Sequence, residues 1–94
     1  MDLTTRGGRL TAIRWQYGDG RKPEPLEAFS KRIKRVTGEH YDPTTLSLLE
    51  RNKQGWKIDD AEILSQLDKE KRGKEWLAFG ADADDSADVK RKAR

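Results

Sequence analysis

Leu26, Phe29, Ile33 and Val36 recur at intervals of three, four and three positions. That spacing lines one face of an α-helix and matches no β-strand. The same period returns in Leu10, Ile13 and Tyr17, in Leu46 and Leu49, and in Ile58, Ala61, Leu64 and Leu67. No stretch alternates apolar and polar residues as a half-buried strand does. The pattern matters because apolar residues are scarce. They make up 33% of the 94 residues, against 39% charged, so a core forms only if nearly all of them are well placed. The chain is expected to be all-α, with one small domain over residues 1–80.

Five helices are expected, each closed by a glycine: Gly18, Gly38, Gly55, Gly73 and Gly80. The first runs from about Gly8 to Tyr17. "GDGRKPEP" then reads as loop. The second runs from about Pro25 to Thr37, with Pro25 suited to the first turn and Leu26, Phe29, Ile33 and Val36 facing inward. The third opens at "DPTT", with Asp42 as N-cap and Pro43 as first helical residue, and ends near Asn52. The fourth starts near Ile58, where Asp59 and Asp60 suit the positive end of its dipole. The fifth is "KEWLAFG", contributing Trp76, Leu77 and Phe79. Residues 81–94, "ADADDSADVKRKAR", hold one large apolar residue and are expected to form a disordered charged tail.

Several function classes drop out on residue type. There is no cysteine and one histidine, so neither a disulfide framework nor a Cys- or His-based zinc site is expected. His40 has Glu39 and Asp42 beside it, but no second histidine and no nucleophile partner. A glycine-rich phosphate loop and a nucleophile elbow are both missing. The expectation is therefore no enzyme, no cofactor and no metal. No apolar run has the length of a membrane span, and the N-terminus lacks a signal-peptide core, so a cytoplasmic address is expected and no membrane partner.

Net charge is +3, and its distribution is more telling than its sum. Lys31, Arg32, Lys34 and Arg35 cluster, and Arg51 to Lys57 carries bases and no acid. Charge runs are usually solvated faces; two that share a face point weakly to a polyanion. The four bases on helix 2 occupy successive faces, so at most two of them meet one partner.

The order of motifs resembles the Cro/CI-type (Xre) helix-turn-helix proteins of phage and bacterial repressors. "RLTAIR" resembles the family's first helix and "LEAFSKRI" the first helix of its DNA-binding unit. "TTLSLLERNKQ" is similar to the recognition helix and the segment after it. "IDDAEILSQL" looks like helix 4 and "EWLAFG" like the repressor ending. The resemblance covers about Arg9 to Gly80 and implies a five-helix, lambda-repressor-like fold. Two departures stand out: a longer loop between helices 1 and 2, and "KRVTGEHY" where the family has a tight turn.

The resemblance implies a sequence-specific DNA-binding transcriptional regulator, a repressor by type and nucleoid-associated, whose helix 3 enters the major groove of double-stranded DNA. Pro43, Thr44, Thr45, Ser47 and Leu48 would face bases, although none makes the bidentate contacts of Arg, Lys, Asn or Gln, and Leu48 reads equally as core. Arg51, Asn52, Lys53, Gln54 and Lys57 would hold phosphates. Arg14 and Glu50 would pair across helices 1 and 3; an arginine fork suits a carboxylate, and the same arginine also reaches a phosphate. Trp15, offset from the apolar stripe, reads as core or as partner-facing, and Trp56 as a staple of the turn into helix 4. The resemblance leaves room for a homodimer on a palindromic site and for a protein partner. Two rival functions stay open: an antitoxin that binds DNA and a toxin, and a protein-binding adaptor that has kept the fold and lost DNA.

Overall fold

The computed structural model describes residues 2–80. Within them the chain forms five helices and no strand: α1 (Arg6–Trp15), α2 (Leu26–Thr37), α3 (Pro43–Glu50), α4 (Asp60–Ser65) and α5 (Lys74–Phe79). The expected tail over 81–94 lies outside the described residues. No helix among them is long and apolar enough to cross a membrane.

All five helices close on one core. Leu10 and Ile13 of α1, Phe29 and Ile33 of α2, Leu46 and Leu49 of α3, and Leu64 and Leu77 of α4 and α5 are fully buried, with Leu67 beside them. Tyr41 and Trp76 complete the cluster. All of these except Tyr41 are among the large apolar residues assigned inward from the sequence, and burying each contributes about 1.5–3 kcal/mol.

Four of the expected inward residues differ. Val36 is half exposed, Phe79 is 80% exposed and Ile58 is fully exposed. In α2 the buried ridge is Phe29, Ser30 and Ile33, which leaves Val36 on its edge. In α5 the buried side belongs to Trp76 and Leu77, and the helical turn carries Phe79 away from them. Ile58 precedes α4, which begins only at Asp60, so it never joins the stripe of Leu64. Tyr17 lies past the end of α1, in a turn where its N–H donates to the Arg14 carbonyl. It is half-buried, its ring 6.3 Å from that of Phe29, and its hydroxyl donates to the Leu67 carbonyl.

Polar groups lock the helices together. Arg9 is buried: its Nε donates to the Leu77 carbonyl (2.9 Å), Nη2 to Ala78 (3.2 Å) and Nη1 to Leu3 (2.8 Å). It thus satisfies carbonyls at the end of α5, which a helix cannot satisfy internally. Gly80, in the left-handed region at φ 86°, lies against that guanidinium. Asp68 is also buried. It accepts Gln16 Nε2, the Arg72 guanidinium and the N–H groups of Glu70 and Arg72. Burial pushes its carboxyl up, but the bonds from Arg72 and Gln16 outweigh that and bring it to about 2.

Candidate nucleic-acid interface

Helix α3 is short, and isolated eight-residue helices are unstable in water, so its pose depends on what grips it. At its C-terminus, Asn52 adopts φ 58°, the left-handed conformation that asparagine tolerates better than most residues. The Lys53 N–H donates to the Leu48 carbonyl and the Asn52 N–H to Leu49, the paired closure of a Schellman motif. The Asn52 side chain then reaches α1: its Oδ1 accepts the Gly7 N–H at 3.0 Å and its Nδ2 donates to Thr5 Oγ1 at 3.1 Å. The start of α1 packs directly on the end of α3. A Cβ at Gly7 would overlap the carbonyl oxygens of Glu50 and Leu49, so only glycine permits this approach.

Two turns further along α1, Arg14 forks onto Glu50. Nε and Nη2 donate to the two carboxylate oxygens, both at 2.7 Å. The third nitrogen, Nη1, donates to the Glu24 carbonyl at 2.7 Å, tying down the loop that leads into α2. The side chains are 13% and 7% exposed. The pair therefore joins α1, α3 and the loop, and no phosphate is needed to explain Arg14.

The turn between α2 and α3, Gly38 to Asp42, is five residues long and is nailed down at Tyr41. Its hydroxyl donates to Asp60 Oδ1 (2.6 Å), its carbonyl accepts Ser30 Oγ, and Asp60 Oδ2 accepts the Lys57 N–H. Burial, then the Asp60 hydrogen bond, pushes the Tyr41 phenol well above its ordinary range. Asp42 occupies the N-cap position of α3 but makes no side-chain cap; its carboxylate pairs with His40 Nε2 at 2.8 Å instead.

The expected base-facing residues fall on different sides of the helix. Thr44 is exposed; Ser47 and Leu48 are half-buried; Arg51 is exposed. These four, at i, i+3, i+4 and i+7, form one outward strip. Pro43 and Thr45 flank it. Pro43 lines a groove of about 380 Å³ with Lys31, Lys34 and Arg35 of α2. Thr45 lines a cleft of about 400 Å³ with Glu39, Asp42, Asp59 and Lys57. The N-terminal half of α3 thus separates a basic groove from a mainly acidic cleft.

Among the expected phosphate holders, Lys53, Gln54 and Lys57 are exposed beyond the helix. Asn52 is spent on the fold instead, since its carboxamide holds α1. Arg51 is turned back along α3, with Nε 3.2 Å from Ser47 Oγ and 3.3 Å from the Ser47 carbonyl. Of the four bases on α2, Arg32 is committed to Glu24 in a two-bond pair and stacks 4.1 Å from the Tyr17 ring centroid; the glutamate raises its pKa further. Lys31, Lys34 and Arg35 remain exposed. Arg6 lies 5.6 Å from the Trp56 ring centroid and adds another exposed charge. Trp56 itself is half-buried against the core, its indole N–H without a partner among the described residues. The roles of Arg9, Gly7 and the Tyr41–Asp60 bond are not legible in the sequence, because each partner is distant in the chain and no local pattern announces it. Comparison with protein-family models, curated proteins and solved structures finds no match for this chain.

Proposed function

We propose that the protein is a sequence-specific binder of double-stranded DNA, of helix-turn-helix type, that acts as a transcriptional regulator and most naturally as a repressor. The reading rests on the outward strip of α3, Thr44, Ser47, Leu48 and Arg51. Small residues at its start allow close approach to a groove, and the strip is held by Arg14–Glu50 and Asn52 rather than by anything a groove would displace. Exposed Lys53 and Lys57 follow it, and Lys31, Lys34 and Arg35 line a groove with Pro43 at the start of α3. In this reading α3 enters the major groove, Thr44 meets base edges, and the flanking bases hold phosphates without reading sequence.

Duplex binding across a salt series tests this. Each phosphate contact steepens the fall in affinity by about 0.9 log units per log unit of salt. Lys53→Ala should weaken binding on every sequence and lower the slope by about one contact. Thr44→Ala should reduce the ratio of specific to non-specific affinity and leave the slope nearly unchanged. A folded protein with no duplex affinity at low salt would overturn the reading. It would favour a protein-binding adaptor, the rival that one observation supports: Glu39, Asp42 and Asp59 crowd the cleft beside Thr45, where phosphate would be repelled and a basic peptide attracted.

A further inference from the structure

We propose that Arg51 reads a guanine, with Ser47 as its positioning residue, instead of holding a phosphate; this rests on the duplex-DNA reading above. The case begins with placement. Arg51 is the C-cap residue of α3 and falls in line with Thr44, Ser47 and Leu48. Seven residues at 1.5 Å rise make the strip about 10 Å long, which spans about three base pairs. Lys53, by contrast, follows the left-handed Asn52, which turns the chain off the helix. It is placed for backbone phosphate, whereas Arg51 stays on the strip.

Orientation is the second argument. An exposed arginine ordinarily samples many rotamers. Here Nε is directed at both the hydroxyl and the carbonyl of Ser47, one turn back. Those contacts turn the Arg51 side chain back along α3 toward Ser47. They leave Nη1 and Nη2 with no acceptor among the described residues, so the two terminal donors are available side by side. Guanine is the base that presents two adjacent acceptors, N7 and O6, in the major groove. Adenine puts a donor beside its N7, which one arm of the fork would meet unfavourably. A lysine would satisfy a phosphate equally well but lacks the planar fork.

Recognition by this strip is therefore less weak than its hydroxyls and methyls alone imply. One bidentate arginine contact discriminates by about ten- to a hundredfold against the wrong base pair. Ser47 contributes without touching DNA strongly itself: its hydroxyl accepts from Arg51 and holds the fork in place.

The experiment selects bound sequences from random duplexes. It then measures affinity on the selected site and on the same site with each G·C pair changed to A·T, at several salt concentrations. The proteins are the wild type, Arg51→Ala, Arg51→Lys, Ser47→Ala and Lys53→Ala, each checked for folding by thermal unfolding. The wild type should prefer one G·C pair by about ten- to a hundredfold. Arg51→Ala should abolish that preference. Arg51→Lys should lose most of it while keeping the wild-type salt slope. Ser47→Ala should lose part of it, several-fold, at the same base pair. If Arg51→Ala instead weakens all duplexes equally, lowers the slope by about 0.9 and leaves base preference intact, Arg51 is a phosphate contact. The guanine proposal then falls while DNA binding stands. If the wild type binds no duplex at low salt, both fall together.

Discussion

Removing either partner of the Arg14–Glu50 pair tests how α3 is held. The two bonds between the side chains are charge-assisted at 2.7 Å each, and both side chains are largely shielded from water. Hydrogen bonds to charged groups contribute about 1.5–3 kcal/mol, and a buried charge left without its partner costs about 3–5 kcal/mol. Glu50→Ala leaves Arg14 with its bond to the Glu24 carbonyl and some solvent, so its cost should be the smaller, about 2–3 kcal/mol. Arg14→Ala strands the less exposed Glu50 and also frees the Glu24 carbonyl, so it should cost about 3–4 kcal/mol. Once one member is gone, removing the other relieves a stranded charge. The double variant should therefore cost less than the sum of the two by about 1–3 kcal/mol. Urea unfolding followed by tryptophan fluorescence measures all four proteins. On heating, the Glu50→Ala loss should appear as a fall in Tm of about 8–24 °C for a domain of this size. Additivity within about 0.5 kcal/mol would show that the two residues do not hold each other, and the account of how α3 is fixed would fail.

Gly7→Ala should destabilise the fold by about 3 kcal/mol or more, because its methyl meets the Glu50 and Leu49 carbonyls, which cannot swing aside as a side chain would. Gly55→Ala, where a Cβ meets nothing within 4 Å, is the control and should be nearly neutral by urea midpoint. Asn52→Gly keeps the left-handed backbone but removes the bonds to Gly7 and Thr5, and should cost about 1 kcal/mol in the same assay. Asp68, at about 2 in the folded chain against an ordinary 3.8, contributes stability that is fully present above about pH 4. It should lose about 2 kcal/mol as pH falls through that window toward about 2. Asp68→Asn should flatten this acid limb of the stability curve, and an unchanged limb would refute the assignment.

How much of this is legible beforehand differs residue by residue. Helical period and glycine punctuation find all five helices and place Leu10, Ile13, Phe29, Ile33, Leu46, Leu49, Leu64, Trp76 and Leu77 on their buried faces, because a 3.6-residue repeat is a local property of the chain; of the five expected glycine stops, only Gly38 and Gly80 cap a helix C-terminus. Boundaries are less secure: α1 begins two residues earlier than expected and α4 two later, since capping by Thr5 and the Asp60–Lys57 turn decide them. At the candidate site, Thr44, Arg51 and Lys53 are legible as residues, but the direction each points is not.

The sequence by itself determined an all-helical chain, an inward set of apolar residues too small to waste, and a basic segment after a short polar-edged helix. Only the tertiary structure decided that Val36, Ile58 and Phe79 stay outside, because exposure at the edge of a stripe depends on which neighbour covers it. Only the tertiary structure gave Arg9 three carbonyls and Asn52 the start of α1. Each of these groups has several polar partners within reach in an unfolded chain. The choice among them is made by backbone packing that brings residues 45 or 68 positions apart into hydrogen-bond contact, which no local pattern encodes.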